Sequence, residues 1–134
     1  MNIDELIDNF AFFDTWEDKY RYIIELGEKM PPLPQIFKTE EWMVKGCQSQ
    51  VWLTWKKNDN GTLTFLGDSD AMIVKGLICI VLSIYNNLPS KNILDIDIDS
   101  IFVKLGLKEH LSPSRRNGLE AMIAKIKYYA IIAA

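Results

Sequence analysis

Residues 50–67 read QVWLTWKKNDNGTLTFLG, two alternating runs around NDNG at 58–61. In the first run Val51, Leu53 and Trp55 fall on one side and Trp52, Thr54 and Lys56 on the other. That two-residue period is the mark of a half-buried strand. Asn60-Gly61 signals a tight hairpin, since both residues tolerate positive φ. TLTFLG, 62–67, is then the return strand, and the sheet is antiparallel.

Working outward from the hairpin, the period changes from two to helical. GDSD at 67–70 supplies candidate helix caps in Asp68 and Ser69, whose side chains accept from the first free amides. The spacing predicts a helix over 71–87, AMIVKGLICIVLSIYNN, apolar almost all round and therefore central and buried. Asn86, Asn87 and Pro89 end it. Short helices are expected over 90–96 and 99–106, the second closed by Gly106. Ser112 caps a last helix that has Pro113 in its first turn, where a missing amide costs nothing. Upstream, WMVKG at 42–46 reads as a short strand ending at Gly46. PPLP at 31–34 stops a helix over 16–30, capped by Asp14 or Thr15, and an apolar stripe predicts a first helix over 3–13. Helices, a small antiparallel sheet, then helices again make an α+β domain.

Composition narrows the function classes. The chain has 134 residues, 49% apolar and 25% charged, with a formal net charge of −3, which fits one globular domain. A mildly acidic chain without a basic stripe argues against nucleic acid as partner. The N-terminal stretch MNIDELIDNFAFFDTW has no basic n-region, and LICIVL at 77–82 falls far short of the roughly 20 apolar residues that span a bilayer. The expectation is a cytoplasmic protein with no membrane contact. Cys47 and Cys79 should stay reduced there. One histidine and no CxxC pair argue against a zinc site.

Cys47 is the candidate reactive group. It follows Gly46, which lets the backbone bend and another molecule approach. Its rival role is that of a small buried filler. Lys45 is placed to lower its pKa only if the segment is extended. Cys79 sits among Leu77, Ile78, Ile80 and Val81 and reads as core. His110 raises the idea of a Cys–His hydrolase, which requires contact with Cys47. Arg115 and Arg116 occupy the first turn of the last helix, where cations meet the positive end of the dipole, so a role with an anionic partner is open for both. Capping accounts for Asp68 and Asp70. Of Trp52 and Trp55, on opposite faces, at least one belongs to the core.

Taken together, WEDKYRYIIELG (16–27), GCQSQVW (46–52), GDSDAMIVKGL (67–77) and HLSPSRRNGLEAM (110–122) resemble the SufE family of sulfur acceptor proteins, in order and across nearly the whole chain. CQSQ favours SufE itself over its relative CsdE. The resemblance implies a SufE/IscU-like fold with a three-stranded antiparallel sheet, and a loop between strands one and two that carries Cys47. It implies an accessory sulfur-transfer protein rather than a stand-alone enzyme. Its partner would be a SufS-type cysteine desulfurase, whose persulfide sulfur passes to Cys47 and on to an Fe–S scaffold such as SufBCD. Pyridoxal phosphate would reside on the partner, leaving this chain with no cofactor of its own. Gly46, Gln48, Asp70 and Arg115 are implied at the partner interface or in support of the loop. Monomer and homodimer both remain open. An Fe–S scaffold, a non-carrier activator of the desulfurase and the hydrolase are the alternatives. A carrier suits a single thiol, because a second one nearby would discharge the persulfide as a disulfide. Cys47 is accordingly expected to be sheltered in the free protein and to swing out on docking.

Overall fold

A computed structural model describes residues 2–134. The order is α1 (Ile3–Ala11), α2 (Trp16–Lys29), β1 (Val51–Lys57), β2 (Thr62–Ser69), α3 (Met72–Tyr85), β3 (Leu88–Pro89), α4 (Ser90–Asp95), α5 (Ile98–Leu105) and α6 (Pro113–Ala133), with short 3-10 turns at Gln35–Phe37, Glu40–Trp42 and Lys108–His110. The architecture is α+β: a three-stranded antiparallel sheet in the order β1-β2-β3, with helices packed on it.

Most caps act as their residues suggest. Thr15 accepts from the Asp18 amide, Ser112 from that of Arg115, and Gly106 closes α5 in the left-handed region. The hairpin differs in detail. Asn58 accepts from the Gly61 amide and donates to Thr62 O, and only Gly61 takes positive φ, at 87°. This is a three-residue connection ending in a glycine bulge rather than a two-residue Asn-Gly turn.

The third strand lies elsewhere than expected. Residues 42–46 form no strand; Met43 makes an isolated bridge to Trp52, and the Val44 amide donates to Val51 O at 2.8 Å. The third strand is instead Leu88–Pro89, paired with Thr62 and Leu63 of β2. Proline survives there because the strand is a two-residue edge. Asn86 extends it with its side chain, which accepts from the Phe65 amide at 2.6 Å and donates to Phe65 O at 3.3 Å. Cys47 therefore sits between an isolated bridge and β1, not between two strands.

The core gathers on one face of the sheet, where Leu53, Leu63 and Phe65 are fully buried beneath α3. α3 contributes nine buried residues, as its all-round apolarity requires. α2 lies tightly against it. A Cβ on Gly76 would run into the carbonyl of Ile23, and one on Gly27 would come within 2.7 Å of the Gly76 amide nitrogen. The half-burial expected for β1 holds only toward its end, because Val51 to Thr54 are buried on both faces. Trp52 is buried with Lys38 5.7 Å above its ring, while Trp55 is half-buried and stacks on Tyr129.

The GDSD corner also departs from the capping expectation. β2 runs on to Ser69, the N-cap of α3 is Ala71, and no side chain caps that helix. Asp68 is instead a buried carboxylate held by Lys38 and Lys75.

Candidate functional site

Residues 45–49 form a loop anchored at both feet. On the upstream side Val44 is tied to Val51. On the downstream side the Gln50 amide donates to Asp70 Oδ1 at 3.0 Å, and the Asp70 amide returns a bond to Gln50 O at 3.3 Å. Between the feet, among the described residues, no backbone hydrogen bond ties 45–49 to a neighbouring element. Gly46 takes φ = 93°, a conformation that side chains resist, and this turns the chain inward just before Cys47.

The turn aims Cys47 into a cavity of about 360 Å³ between the sheet, α3 and the start of α6. Leu77, Ile78, Leu119 and Met122 form its apolar wall, and Arg115 and Gln48 stand among its polar residues. Cys47 is half-buried, and its thiol donates to Gly118 O over 3.6 Å, a weak hydrogen bond because S–H is a poor donor. Burial pushes its pKa up, with no cation opposing the effect. The thiol is therefore protonated at neutral pH and slow as a nucleophile. Lys45 does not activate it; its ammonium pairs with Glu40 at 3.2 Å on the exposed surface.

The other candidates divide clearly. Gln48 within the loop and Asp70 beside it are both exposed, and Asp70 braces the downstream foot. Arg115 is half-buried with its guanidinium 6.0 Å from the Tyr20 ring, at the cavity that Cys47 enters. Arg116 points away and donates to Leu111 O at 3.3 Å. His110 stacks flat on Trp16 with ring centroids 4.4 Å apart and does not line the Cys47 cavity, so the Cys–His pairing fails on geometry. Cys79 is half-buried rather than core, and lines a second groove with Phe65, Gly67 and Ser83. Burial raises its pKa too. The two thiols thus open into different depressions. Among the described residues no group of three His, Cys, Asp or Glu is placed to hold a metal ion.

Gly118 was not singled out from the sequence. It lies inside α6 with no positive φ, yet a Cβ there would sit 3.4 Å from Cys47 Sγ. The available signal was a glycine inside a long helix, which costs about 1 kcal/mol relative to alanine and so asks for a packing reason. Burial of Asp68 carried no such signal, because GDSD before a helix also reads as a cap.

Comparison with known proteins places this geometry in context. Residues 4–130 match the family model described as SufE, Fe-S metabolism associated domain. An uncharacterized SufE-like protein of Rhizobium meliloti is 50% identical over 129 residues, covering 94% of this chain and 92% of the relative. A second such protein, from Rhizobium etli, is 46% identical over 136 residues, covering 99% of this chain and 92% of its own length. The solution structure of a hypothetical protein from Thermus thermophilus superposes with a TM-score of 0.76 at 20% identity, over 98% of this chain and 94% of that one, and shows the shared fold.

Proposed function

The chain belongs to the SufE family, associated with Fe–S metabolism, and from that membership we propose that it is a sulfur carrier whose working group is the Cys47 thiol. The observation that carries this reading is the placement of Cys47. Its side chain lies in a largely apolar cavity, held by one weak thiol–carbonyl contact, on a loop with firm feet and, among the described residues, no backbone hydrogen bond from its middle to a neighbouring element.

The chemistry needs one sulfur nucleophile. A PLP-dependent cysteine desulfurase of the SufS type holds sulfane sulfur as an enzyme persulfide, E–S–SH. The Cys47 thiolate attacks the outer sulfur, a new S–S bond forms, and the desulfurase thiolate leaves. The product is Cys47–S–SH, with atoms and electrons balanced and no metal or redox cofactor of this chain consumed. An apolar recess then separates the persulfide from water and stray thiols until an Fe–S scaffold such as SufBCD accepts it. The raised pKa suits this cycle, because a thiol that stays protonated when the protein is free ionises only where a partner supplies a polar setting.

Gly46 gives the loop its inward turn, Asp70 fixes its downstream foot, and Gln48 and Arg115 stand at the rim where a docked partner arrives. Two thiols in separate depressions favour a carrier over a cluster scaffold, which needs about three thiolate ligands at one place. CQSQ at 47–50 favours the SufE branch over CsdE. Among the described residues no helix is long and apolar enough to cross a membrane.

The test is mass spectrometry after incubation with a cysteine desulfurase and cysteine. A gain of one sulfur on the Cys47 peptide, absent in Cys47→Ser together with downstream delivery, is expected. Stimulation of the desulfurase by Cys47→Ser at the unaltered level would refute the carrier role and leave an activator.

A further inference from the structure

We propose that Asp68 is a positioning residue for the cysteine loop: its buried carboxylate locks the corner that presents Asp70 to Gln50, and so sets how readily Cys47 leaves its cavity. The inference rests on the assignment of Cys47 as the acting thiol, but its geometry can be tested without sulfur transfer.

Asp68 is 2% exposed, and among the described residues that are buried it alone carries a charge. Burying a carboxylate is unfavourable unless charge and hydrogen bonds compensate it, so its retention in the interior asks for a reason. Helix capping is not that reason, since Ala71 is the N-cap of α3 and its amide bonds to Ser69 Oγ at 3.2 Å. The carboxylate instead joins three parts of the chain. Its Oδ1 accepts from the Ser69 amide at 2.8 Å and lies 3.5 Å from Lys75 Nζ on α3, while Oδ2 lies 3.2 Å from Lys38 Nζ on the connection after α2. Lys38 also covers the ring of Trp52, the register partner of Asp68 on β1.

This hub governs the next few residues of the chain. The bond from Asp68 to the Ser69 amide fixes the peptide that leads into Asp70. Asp70 holds Gln50 through one side-chain and one backbone bond, and those two bonds are the downstream foot of the loop. Ala71, Ile73 and Val74, immediately beyond the corner, line the cavity into which Cys47 points. With the corner locked the foot is fixed and the thiol stays in. When the carboxylate loses its charge, Lys38 and Lys75 are left unpaired in part-buried positions, the corner relaxes, and Gln50 is released.

Peptide-resolved mass spectrometry of iodoacetamide labelling in the free, full-length protein tests this, with Cys79 as an internal reporter of general unfolding. In Asp68→Asn, Cys47 labelling is expected to rise at least tenfold while Cys79 labelling stays within twofold of the parent protein. Cys47 labelling at the parent rate, or an equal rise at both cysteines, would overturn the proposal. Lys38→Met removes one arm of the hub at a residue only partly buried, and serves where Asp68→Asn does not fold. A rise of about threefold at Cys47 alone is expected, and no rise overturns the proposal. Neither readout depends on a persulfide, so a carrier role that failed and a hub that failed would be told apart.

Discussion

Replacing Gly118 with alanine separates the stability of the fold from the protection of the thiol. Gly118 is in the body of α6, so alanine should favour the helix by about 1 kcal/mol. The new methyl would lie 3.4 Å from Cys47 Sγ and 3.8 Å from Cys47 Cβ. The first distance is at the near edge of ordinary van der Waals contact and the second lies within it, so the methyl fits against the thiol but fills the space beside it. Among the described residues the loop makes no backbone hydrogen bond to a neighbouring element between residues 45 and 49, so any small adjustment costs well under about 1 kcal/mol. The net expectation is a protein more stable by about 0.5–1 kcal/mol, with a melting temperature about 2–4 °C higher for a chain of this size. The thiol fares differently. The methyl takes up space beside Sγ, and a second sulfur about 2.05 Å from the first has lost room in which to lie. Iodoacetamide labelling of Cys47 should rise several-fold, and a preformed persulfide should be lost faster to added thiol. Calorimetry and timed labelling on one preparation check both halves. A lower melting temperature, or a thiol no more reactive than before, would refute the reasoning, because the cavity wall would then not be what retains the sulfur.

Gly76→Ala should destabilise the fold by about 3 kcal/mol or more in denaturant unfolding, because its Cβ meets the backbone of Ile23, which cannot yield as a side-chain tip can. Asn86→Leu should cost about 2–3 kcal/mol by the same measurement, since both backbone groups of Phe65 lose their partner. The Asp68 carboxyl is pushed up by burial but held below the usual carboxylate range by the Ser69 amide, Lys38 and Lys75. A depressed pKa contributes stability that is fully present above the unfolded value of about 3.9 and is lost as pH falls through the folded value. The melting-temperature gap between the parent protein and Asp68→Asn should therefore be flat from about pH 8 to 5 and close below about pH 4. Cys47 shifts the other way, so its labelling rate should keep climbing beyond a free thiol's midpoint of about 8.5, and a plateau below that pH would contradict its burial.

Local pattern determined most of the elements. Alternation around NDNG specified the β1–β2 hairpin, continuous apolarity specified α3 as the central helix, and Thr15, Ser112 and Gly106 marked helix ends where the folded chain has them. Cys47 stood out because a glycine and polar neighbours set it apart from any apolar period. These features are legible because each depends on residues within one or two turns of one another. Tertiary structure decided the rest. It placed the third strand at Leu88–Pro89, where Thr62 and Leu63 offered an open edge, although a proline argues against a strand when read alone. It withdrew His110 to Trp16, Lys45 to Glu40 and Cys79 to a separate groove. It brought Gly118 against a thiol 71 positions earlier, and Lys38 and Lys75 to a carboxylate that the sequence offers as a helix cap. Contacts of that kind leave no period in the sequence. They arise only when separate elements pack, and the balance between desolvating a charge and pairing it is settled at the packed interface.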